Sequence, residues 1–196
     1  MASSSSVIDT FSKPTFSMDI WQFIFGSASI ASGQLKLDSS LGGQYSGLTA
    51  FPSDFTSSSV AMMIQDAGNQ LLASWEVYVC QVYADSSNGV HWLINQNTVY
   101  ARIKVAGVTS VVGSSFAYNP SLHKWFMISE SGGTFTFRYS SNGIEWTDHT
   151  TLAVPFTLTS VKLEPTAGNY AVETSTTSAY FDNINALPAR TAWLSA

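Results

Sequence analysis

Hydrophobic and polar residues alternate with a period of two along most of this chain, and capped runs with the helical period are nearly absent. In Thr134–Ser140 (TFTFRYS), three aromatic residues alternate with polar ones, which places the rings on one face of a strand. Ten segments predict strands: 21–25, 34–38, 59–65, 74–84, 90–95, 98–106, 124–129, 134–140, 159–165 and 178–185. So many short strands predict an all-β fold, an antiparallel two-sheet β-sandwich of the jelly-roll kind.

Turn residues in Tyr118–Thr147 predict three successive antiparallel strands in the second half of the chain. Ser131–Gly133 (SGG) and Asn142–Gly143 supply residues that tolerate the positive φ of hairpin loops. The sequence SSNG also occurs upstream, at Ser86–Gly89, and there too a tryptophan follows. Two interpretations stay open, a vestigial duplication and two hairpins with the same turn sequence, and the second is favoured.

No shift in composition divides the chain, so a single domain is expected. We place the jelly-roll sandwich at residues 16–186, an N-terminal arm at 1–15 and a C-terminal tail at 187–196. Exposed terminal aromatic and aliphatic residues are usual anchors for a partner surface. Phe11, Trp193 and Leu194 are therefore the candidate partner-binding residues.

Charged residues make up 11% of the chain, the net charge is −5, and the 8 Lys and Arg residues are scattered. Nucleic-acid binding is not expected, because a phosphate backbone requires a basic stripe. The chain shows neither a secretory signal nor an apolar run of about 18 residues, so membrane insertion is not expected either. Cys80 is the single cysteine; it excludes an internal disulfide and is interpreted as a small buried hydrophobe.

The chain contains no motif for catalysis. Its three histidines lack metal-ligand spacing, and no G-x-S-x-G or P-loop sequence is present. A sandwich glycosidase needs two carboxylates about 5 to 9 Å apart, yet no E-x-D or E-x-E pair occurs. The sequence therefore predicts a protein that is not an enzyme, although two carboxylates from separate strands remain an alternative, with Glu130 and Glu145 as the residues to test.

Aromatic side chains are the more informative candidates for binding. Trp21, Trp75, Trp125 and Trp146 lie in alternating apolar segments, which favours the core. The candidate carbohydrate-binding residues are Tyr45, in a glycine-rich segment, Trp92, just after an Asn-Gly turn, and Trp146. Asp182, in YFDNIN, is a candidate ligand for a structural calcium ion, but a loop-capping role is favoured because one carboxylate supplies too few oxygens.

Two segments resemble known proteins. Tyr118–Thr147 contains Tyr-x-Pro, His-x-Trp before an aromatic residue, a glycine-rich turn, an aromatic strand, Ser-x-Asn-Gly and Trp-Thr; it resembles a segment of minor tail and other virion proteins of tailed phages with actinobacterial hosts. Ala179–Asn185 (AYFDNIN) is similar to the last strand of concanavalin A-like (laminin G-like) jelly rolls. Met127 and Asn142 depart from the phage pattern, in which arginine and aspartate are common at these positions.

This resemblance implies a concanavalin A-like sandwich on a virion surface or tail tip that contacts host glycans. We accordingly expect a non-enzymatic virion structural protein, either a minor tail protein or a capsid-decoration protein, that is assembled in the host cytoplasm. It would dock on other virion proteins in many copies, as a homo-oligomer or otherwise, and bind no cofactor. The alternatives are a carbohydrate-binding module for a host cell-surface glycan and, less favoured, a glycoside hydrolase of the same fold.

Overall fold

The protein folds into two stacked antiparallel sheets, as the sequence predicts. The structure is a computed structural model that describes residues 2–189. Within these residues it contains sixteen β-strands and one 3-10 turn, Ser4–Ser6, and no helix is long and apolar enough to span a membrane.

One sheet has nine strands and the other has seven. The nine-stranded sheet has the order β1-β4-β15-β6-β7-β8-β10, with β14 beside β6 and β9 beside β8. Its strands are β1 (Trp21–Phe25), β4 (Tyr45–Ala50), β6 (Trp75–Asp85), β7 (Asn88–Asn95), β8 (Thr98–Val105), β9 (Val108–Val111), β10 (Phe116–Ala117), β14 (Lys162–Leu163) and β15 (Thr166–Asn169). The seven-stranded sheet has the order β13-β12-β11-β5-β16-β3-β2. Its strands are β2 (Ser27–Ala31), β3 (Gln34–Asp38), β5 (Ser59–Asp66), β11 (Trp125–Ser131), β12 (Thr134–Ser140), β13 (Thr147–Ala153) and β16 (Ser178–Asp182).

Most predicted strands are confirmed, and the predicted meander is β11, β12 and β13. The segment 159–165 is shorter than expected, since only Lys162–Leu163 pairs as a strand before Pro165 interrupts it. Proline lacks the N–H that a ladder hydrogen bond requires. Five strands were not predicted, and four of them are rich in small or polar residues: β2 (SASIA), β4 (YSGLTA), β9 (VTSV) and β15 (TAGN). The fifth, β10 (FA), has only two residues.

The two SSNG sequences form different turns. The first spans the short β6–β7 connection, where Asp85 Oδ1 accepts the Ser87 N–H at 2.7 Å. The second lies in a longer loop between β12 and β13, where Asn142 Oδ1 accepts the N–H of Glu145 at 3.0 Å and Gly143 has a φ of 73°. The same four residues are thus used in two ways, because the neighbouring strands set the length of each loop.

The core lies between the two sheets and contains several of the tryptophans. Trp21 and Trp75 are fully buried in this core, as predicted. Trp125 is also buried, at 3% exposed, but it lies on the face of β11 opposite to the core residues Phe126 and Ile128. Trp146 is half-buried in the β12–β13 loop, outside the core. Cys80 is buried as predicted, with its thiol 3.2 Å from the Phe126 carbonyl oxygen, and burial raises the pKa of this thiol.

The N-terminal segment packs against the sandwich. Phe11 is 1% exposed and stacks on Trp21 with ring centroids 6.2 Å apart. Asp9 pairs with Ile184 through backbone hydrogen bonds of 3.1 and 2.8 Å. The assignment of Phe11 to a partner surface is therefore wrong, because its ring is already buried in its own core. Trp193 and Leu194, the other proposed anchors, lie outside the described residues.

Candidate functional site

The outer face of the nine-stranded sheet contains a cleft of about 480 Å³. β6 runs along its floor, and a β-bulge sets which side chains of β6 face it. The ladder to β7 shifts between Val79 and Val82, so that two residues, Cys80 and Gln81, stand against His91, and Cys80 adopts a φ of 52°. A bulge shifts the alternation of side chains between the two faces of the sheet by one residue. As a result Glu76 and Tyr78 before it and Gln81 and Tyr83 after it share the outer face.

Aromatic rings and polar groups together line the cleft. The lining residues are Phe25, Tyr45, Tyr78, Gln81, Tyr83, Asp85, Ser86, Asn88, Gly89, Val90, His91, Lys104, Thr109, Glu164 and Thr166. Two glycines let tyrosines lie close to the sheet. A Cβ on Gly168 would be 2.8 Å from Tyr45 Cδ1, and one on Gly89 would be 2.8 Å from Tyr83 Cβ. A side chain at either position would therefore collide with the neighbouring tyrosine.

Two carboxylates orient the tyrosines. Glu76 Oε2 accepts hydrogen bonds from the hydroxyls of Tyr45 (2.6 Å) and Tyr78 (2.7 Å). Glu164 Oε2 accepts from the hydroxyls of Tyr83 (2.7 Å) and Thr49 (2.6 Å). Burial raises the pKa of all three tyrosines, and the hydrogen bonds to these glutamates raise it further. The phenols are thus kept as protonated donors, and the rings are held in place around the cleft.

Two residues of the cleft lining carry a buried polar atom without a partner. Within residues 2–189, neither His91 Nε2 nor Gln81 Oε1 has a hydrogen-bond partner. His91 is 8% exposed, and its ring lies 5.0 Å from that of Tyr78. Burial and the nearby cations Arg102 and Lys104 lower the pKa of His91 to about 3, so the ring is neutral near pH 7. An unpaired buried polar atom costs about 1–3 kcal/mol, which a ligand group that pairs with it would recover.

The structure brings one of the three predicted carbohydrate-binding residues to this cleft. Tyr45 is the first residue of β4 and lines it; its role in binding stays a prediction. Trp92 is fully buried, its indole N–H donates to the Met127 carbonyl at 3.1 Å, and its ring packs on Phe126 and Phe137. It cannot stack on a sugar from this position, because β7 turns it toward the core. Trp146 precedes β13 of the other sheet and does not line the cleft.

The remaining residues that the sequence suggested as candidates, Asp182, Glu130 and Glu145, do not line the cleft. Asp182 Oδ1 accepts the N–H of Asn183 at 2.7 Å, and burial raises the pKa of its carboxyl. No group of three or more His, Cys, Asp or Glu that could hold a metal ion occurs in the part of the chain that the structure describes. Glu130 is buried and accepts the N–H groups of Ser57 and Gly133, whereas Glu145 is exposed in a loop. Glu130 thus lies in β11, where its carboxylate holds two adjacent loops, and neither glutamate lines the cleft.

Sequence reasoning misses several residues that line the cleft. The alternation places Gln81, Tyr83 and His91 in strands without assigning them a role, and it leaves Glu164 isolated. A signal is present in β6, where the alternation of EVYVCQVY breaks at Cys80–Gln81 and indicates a bulge. Glu164 has no comparable signal, since its place beside β6 depends on a pairing across about 80 residues of chain: its N–H donates to the Gln81 carbonyl at 2.9 Å.

Comparison with known proteins supports the fold. No protein-family model matches the sequence, and no curated protein matches it either. Solved structures do match. A Bacillus licheniformis β-glucanase has a TM-score of 0.64 at 10% identity, covering 90% of this chain and 95% of that one. A structure from work on endo-acting O-glycanases of human gut bacteria that initiate mucin breakdown has a TM-score of 0.68 at 7% identity, covering 92% and 98%. The Crh5 transglycosylase has a TM-score of 0.65 at 12% identity, covering 90% and 81%.

These neighbours confirm the jelly-roll sandwich and correct one expectation. We expected a protein without enzymatic activity, and that expectation is contradicted, because the similar structures are glycosidases and transglycosylases. The fold is one on which carbohydrate chemistry is carried out. The comparisons give no support for a phage origin, and at these identities they establish the fold alone.

Proposed function

We propose that the protein is carbohydrate-active and binds a glycan chain in the cleft of the nine-stranded sheet. The observation that carries this proposal is the cleft itself, whose lining combines oriented tyrosines with two residues that carry a buried polar atom without a partner. Sugars present both hydroxyls and apolar C–H faces. Tyrosine rings and a few placed polar groups are the surface that such ligands require.

The charges of the lining favour a neutral glycan. Asp85 and Glu164 supply negative charge and Lys104 supplies positive charge. Lys104 already donates to the Ser86 carbonyl at 2.7 Å, and Asp85 binds Ser87 and Asn88. Glu164 accepts the hydroxyl donors of Tyr83, Thr49 and Thr166. Most of the local charge is thus used within the protein, and hydroxyl groups remain the best partners for Gln81 and His91.

Glycan binding is tested with the purified chain on a glycan array, followed by titration calorimetry on any ligand found. Q81L should weaken binding about tenfold, since it removes a polar contact near 1.4 kcal/mol. E164Q should also weaken binding, because an amide oxygen holds the Tyr83 and Thr49 hydroxyls less strongly than a carboxylate does. E145Q, an identical change in an exposed loop, and Y170F, on an exposed tyrosine, should leave affinity within about twofold. Absence of saturable binding to every glycan, or equal losses in the control variants, would refute the proposal.

Glycan cleavage or transfer is a second candidate, and the fold shared with glycosidases and transglycosylases favours it. Glu164 and Asp85 are the carboxylates that line the cleft, and Glu76 is a further carboxylate on this face. Glu76 pairs with Gly168, and Gly168 is four residues along the chain from Glu164. Four residues of strand span about 13 Å, which separates the backbones of the two glutamates by about that distance. Glycosidase carboxylates are about 5 to 9.5 Å apart, so their long side chains would have to converge on the substrate.

Hydrolysis is measured on soluble β-glucan, xylan and mucin O-glycans by release of reducing ends. If the second candidate holds, E164Q should lose activity at least about 100-fold, whereas E145Q should retain it. Activity that persists in both E164Q and E76Q would exclude these two carboxylates as catalytic groups. No release from any of these substrates would exclude this candidate and leave the binding proposal standing.

We further propose that the setting is a virion surface, where many copies bind a host cell-surface glycan. The resemblance of Tyr118–Thr147 to tailed-phage virion proteins supports this setting, and multiple copies would raise a weak affinity through avidity. Trp193 and Leu194 are the proposed contacts to neighbouring virion proteins. The test is incorporation into particles that lack the protein: W193A should reduce incorporation, and equal incorporation of the variant would remove the tail from the interface.

A further inference from the structure

A second cavity, of about 250 Å³, lies at the opposite end of β7 from the β6–β7 hairpin. We name it the end pocket. It is built from the connection between β5 and β6, the β7–β8 turn and the segment after β10. Its lining residues are Gln65, Asp66, Ala67, Gly68, Asn69, Gln70, Leu71, Asn97, Tyr118 and Pro120. None of them lines the cleft, so the two sites are separate.

The lining of the end pocket also includes polar atoms that lack partners. Gln70 is 7% exposed; its Nε2 donates to the Ala67 carbonyl at 2.6 Å, while its Oε1 has no hydrogen-bond partner in the described part of the chain. The Tyr118 hydroxyl is likewise buried without a partner among those residues. Burial raises the pKa of Tyr118, and the charge of Asp66 adds to this effect, so the hydroxyl stays protonated. Two lining residues of the end pocket therefore each carry a buried polar atom whose hydrogen bond is unmade.

The chemistry of the lining selects for a ligand that donates hydrogen bonds. Gln70 Oε1 and the Asp66 carboxylate are acceptors, and Tyr118 supplies a hydroxyl. No lining residue is a cation, which disfavours an anionic ligand. Leu71, 83% exposed, and Pro120 provide an apolar surface beside these groups. A bare calcium ion suits the pocket poorly, because it takes six to eight oxygens and the lining contributes a single carboxylate.

We propose that the end pocket binds one neutral sugar residue, whose hydroxyls donate to Gln70 and Asp66 while its C–H face lies on Leu71 and Pro120. A volume just below the usual range for ligand pockets suits a single ring better than a chain. This proposal does not rest on the function of the cleft. If both sites bind, a glycan is held at two places on one molecule, which raises affinity for a multivalent surface.

The test is a titration of ¹⁵N-labelled protein with methyl glucoside, methyl galactoside, methyl xyloside and N-acetylglucosamine, followed by amide shifts. At least one sugar should move the amides of Gly68, Asn69, Leu71 and Asn97 in a saturable way. D66N and Y118F, both close in shape to the native residue, should raise the dissociation constant at least about fivefold. D66N keeps the Oδ1 acceptor for the Gly68 N–H, so the turn should persist.

Matched controls separate this site from the cleft. Y83F, a cleft variant, and D19N, an exposed residue elsewhere, should leave these shifts and their midpoint unchanged. Shifts confined to cleft amides would overturn the proposal, as would a midpoint that D66N and Y118F do not move. Calcium chloride alone moving the same amides more tightly than any sugar would reassign the end pocket to a cation and also overturn it. The absence of an amide shift with all four sugars would also overturn the proposal.

Discussion

The buried neutral imidazole of His91 should make the protein less stable as the pH falls from 7 to 5. In the folded protein the pKa of His91 is lowered from 6.5 to about 3, chiefly by burial and further by Arg102 and Lys104 on β8. The group facing it from β6 is the Tyr78 ring, 5.0 Å away, which supplies no charge at these pH values. The unfolded chain therefore binds a proton that the folded protein does not.

The sign and size of the effect follow from this difference. Above pH 6.5 the imidazole is neutral in both states and contributes nothing. Between pH 6.5 and about 3 the unfolded state binds more protons, so the free energy of unfolding decreases by about 1.4 kcal/mol per pH unit. At pH 5, which is 1.5 units below 6.5, the loss from His91 is about 2 kcal/mol.

The assay is urea unfolding followed by tryptophan fluorescence at pH 7 and pH 5, for the wild type and H91Q. Carboxylates and the other two histidines titrate in both proteins, so the difference between the two pH dependences isolates His91. We expect H91Q to lose about 2 kcal/mol less than the wild type between these pH values. Equal losses in both proteins would show that the His91 ring is hydrated or protonated in the fold, and would refute the reasoning.

Three further predictions concern packing. F11A should lower the free energy of unfolding by about 3–5 kcal/mol in urea titrations, because Phe11 is 1% exposed and stacks on Trp21. A loss below about 1 kcal/mol would show that the Phe11 ring is not buried in the core. G89A should destabilise the fold by about 1–3 kcal/mol and weaken the binding of any cleft ligand, because the added Cβ would be 2.8 Å from Tyr83 Cβ. Unchanged stability and unchanged affinity by calorimetry would contradict the close approach of this tyrosine to the sheet. Cys80 should react with a thiol reagent only after unfolding, and rapid labelling of the native protein at pH 8 would show that the bulge opens.

The strands themselves are largely predictable, because alternation of side chains between two faces is a local property. β12 is predicted over Thr134–Ser140 and observed with the same bounds, since its aromatic residues need a core on one side only. β15 (TAGN) is not predicted, because threonine, alanine, glycine and asparagine together carry little strand preference of their own. Its hydrogen bonds to β4 and β6 on either side hold it extended.

The candidate site is mostly unpredictable for a related reason. Tyr45, a sequence candidate, lines the cleft, but Trp92, a candidate because of its position beside a turn, faces the core. The face that a strand residue occupies depends on register, and one bulge reverses it. Sequence alternation within β7 alone does not state which of its two faces meets the other sheet.

The sequence by itself determined that this chain forms an all-β sandwich with a buried thiol and a weakly charged surface, because periodicity, turn residues and composition act over a few residues at a time. Only the tertiary structure decided where ligands can bind. The bulge at Cys80 moved Gln81 and Tyr83 to the outer face, and pairing with a distant segment set Glu164 beside Tyr83. Such contacts join residues far apart in the chain, and their energies depend on neighbours that no local pattern identifies.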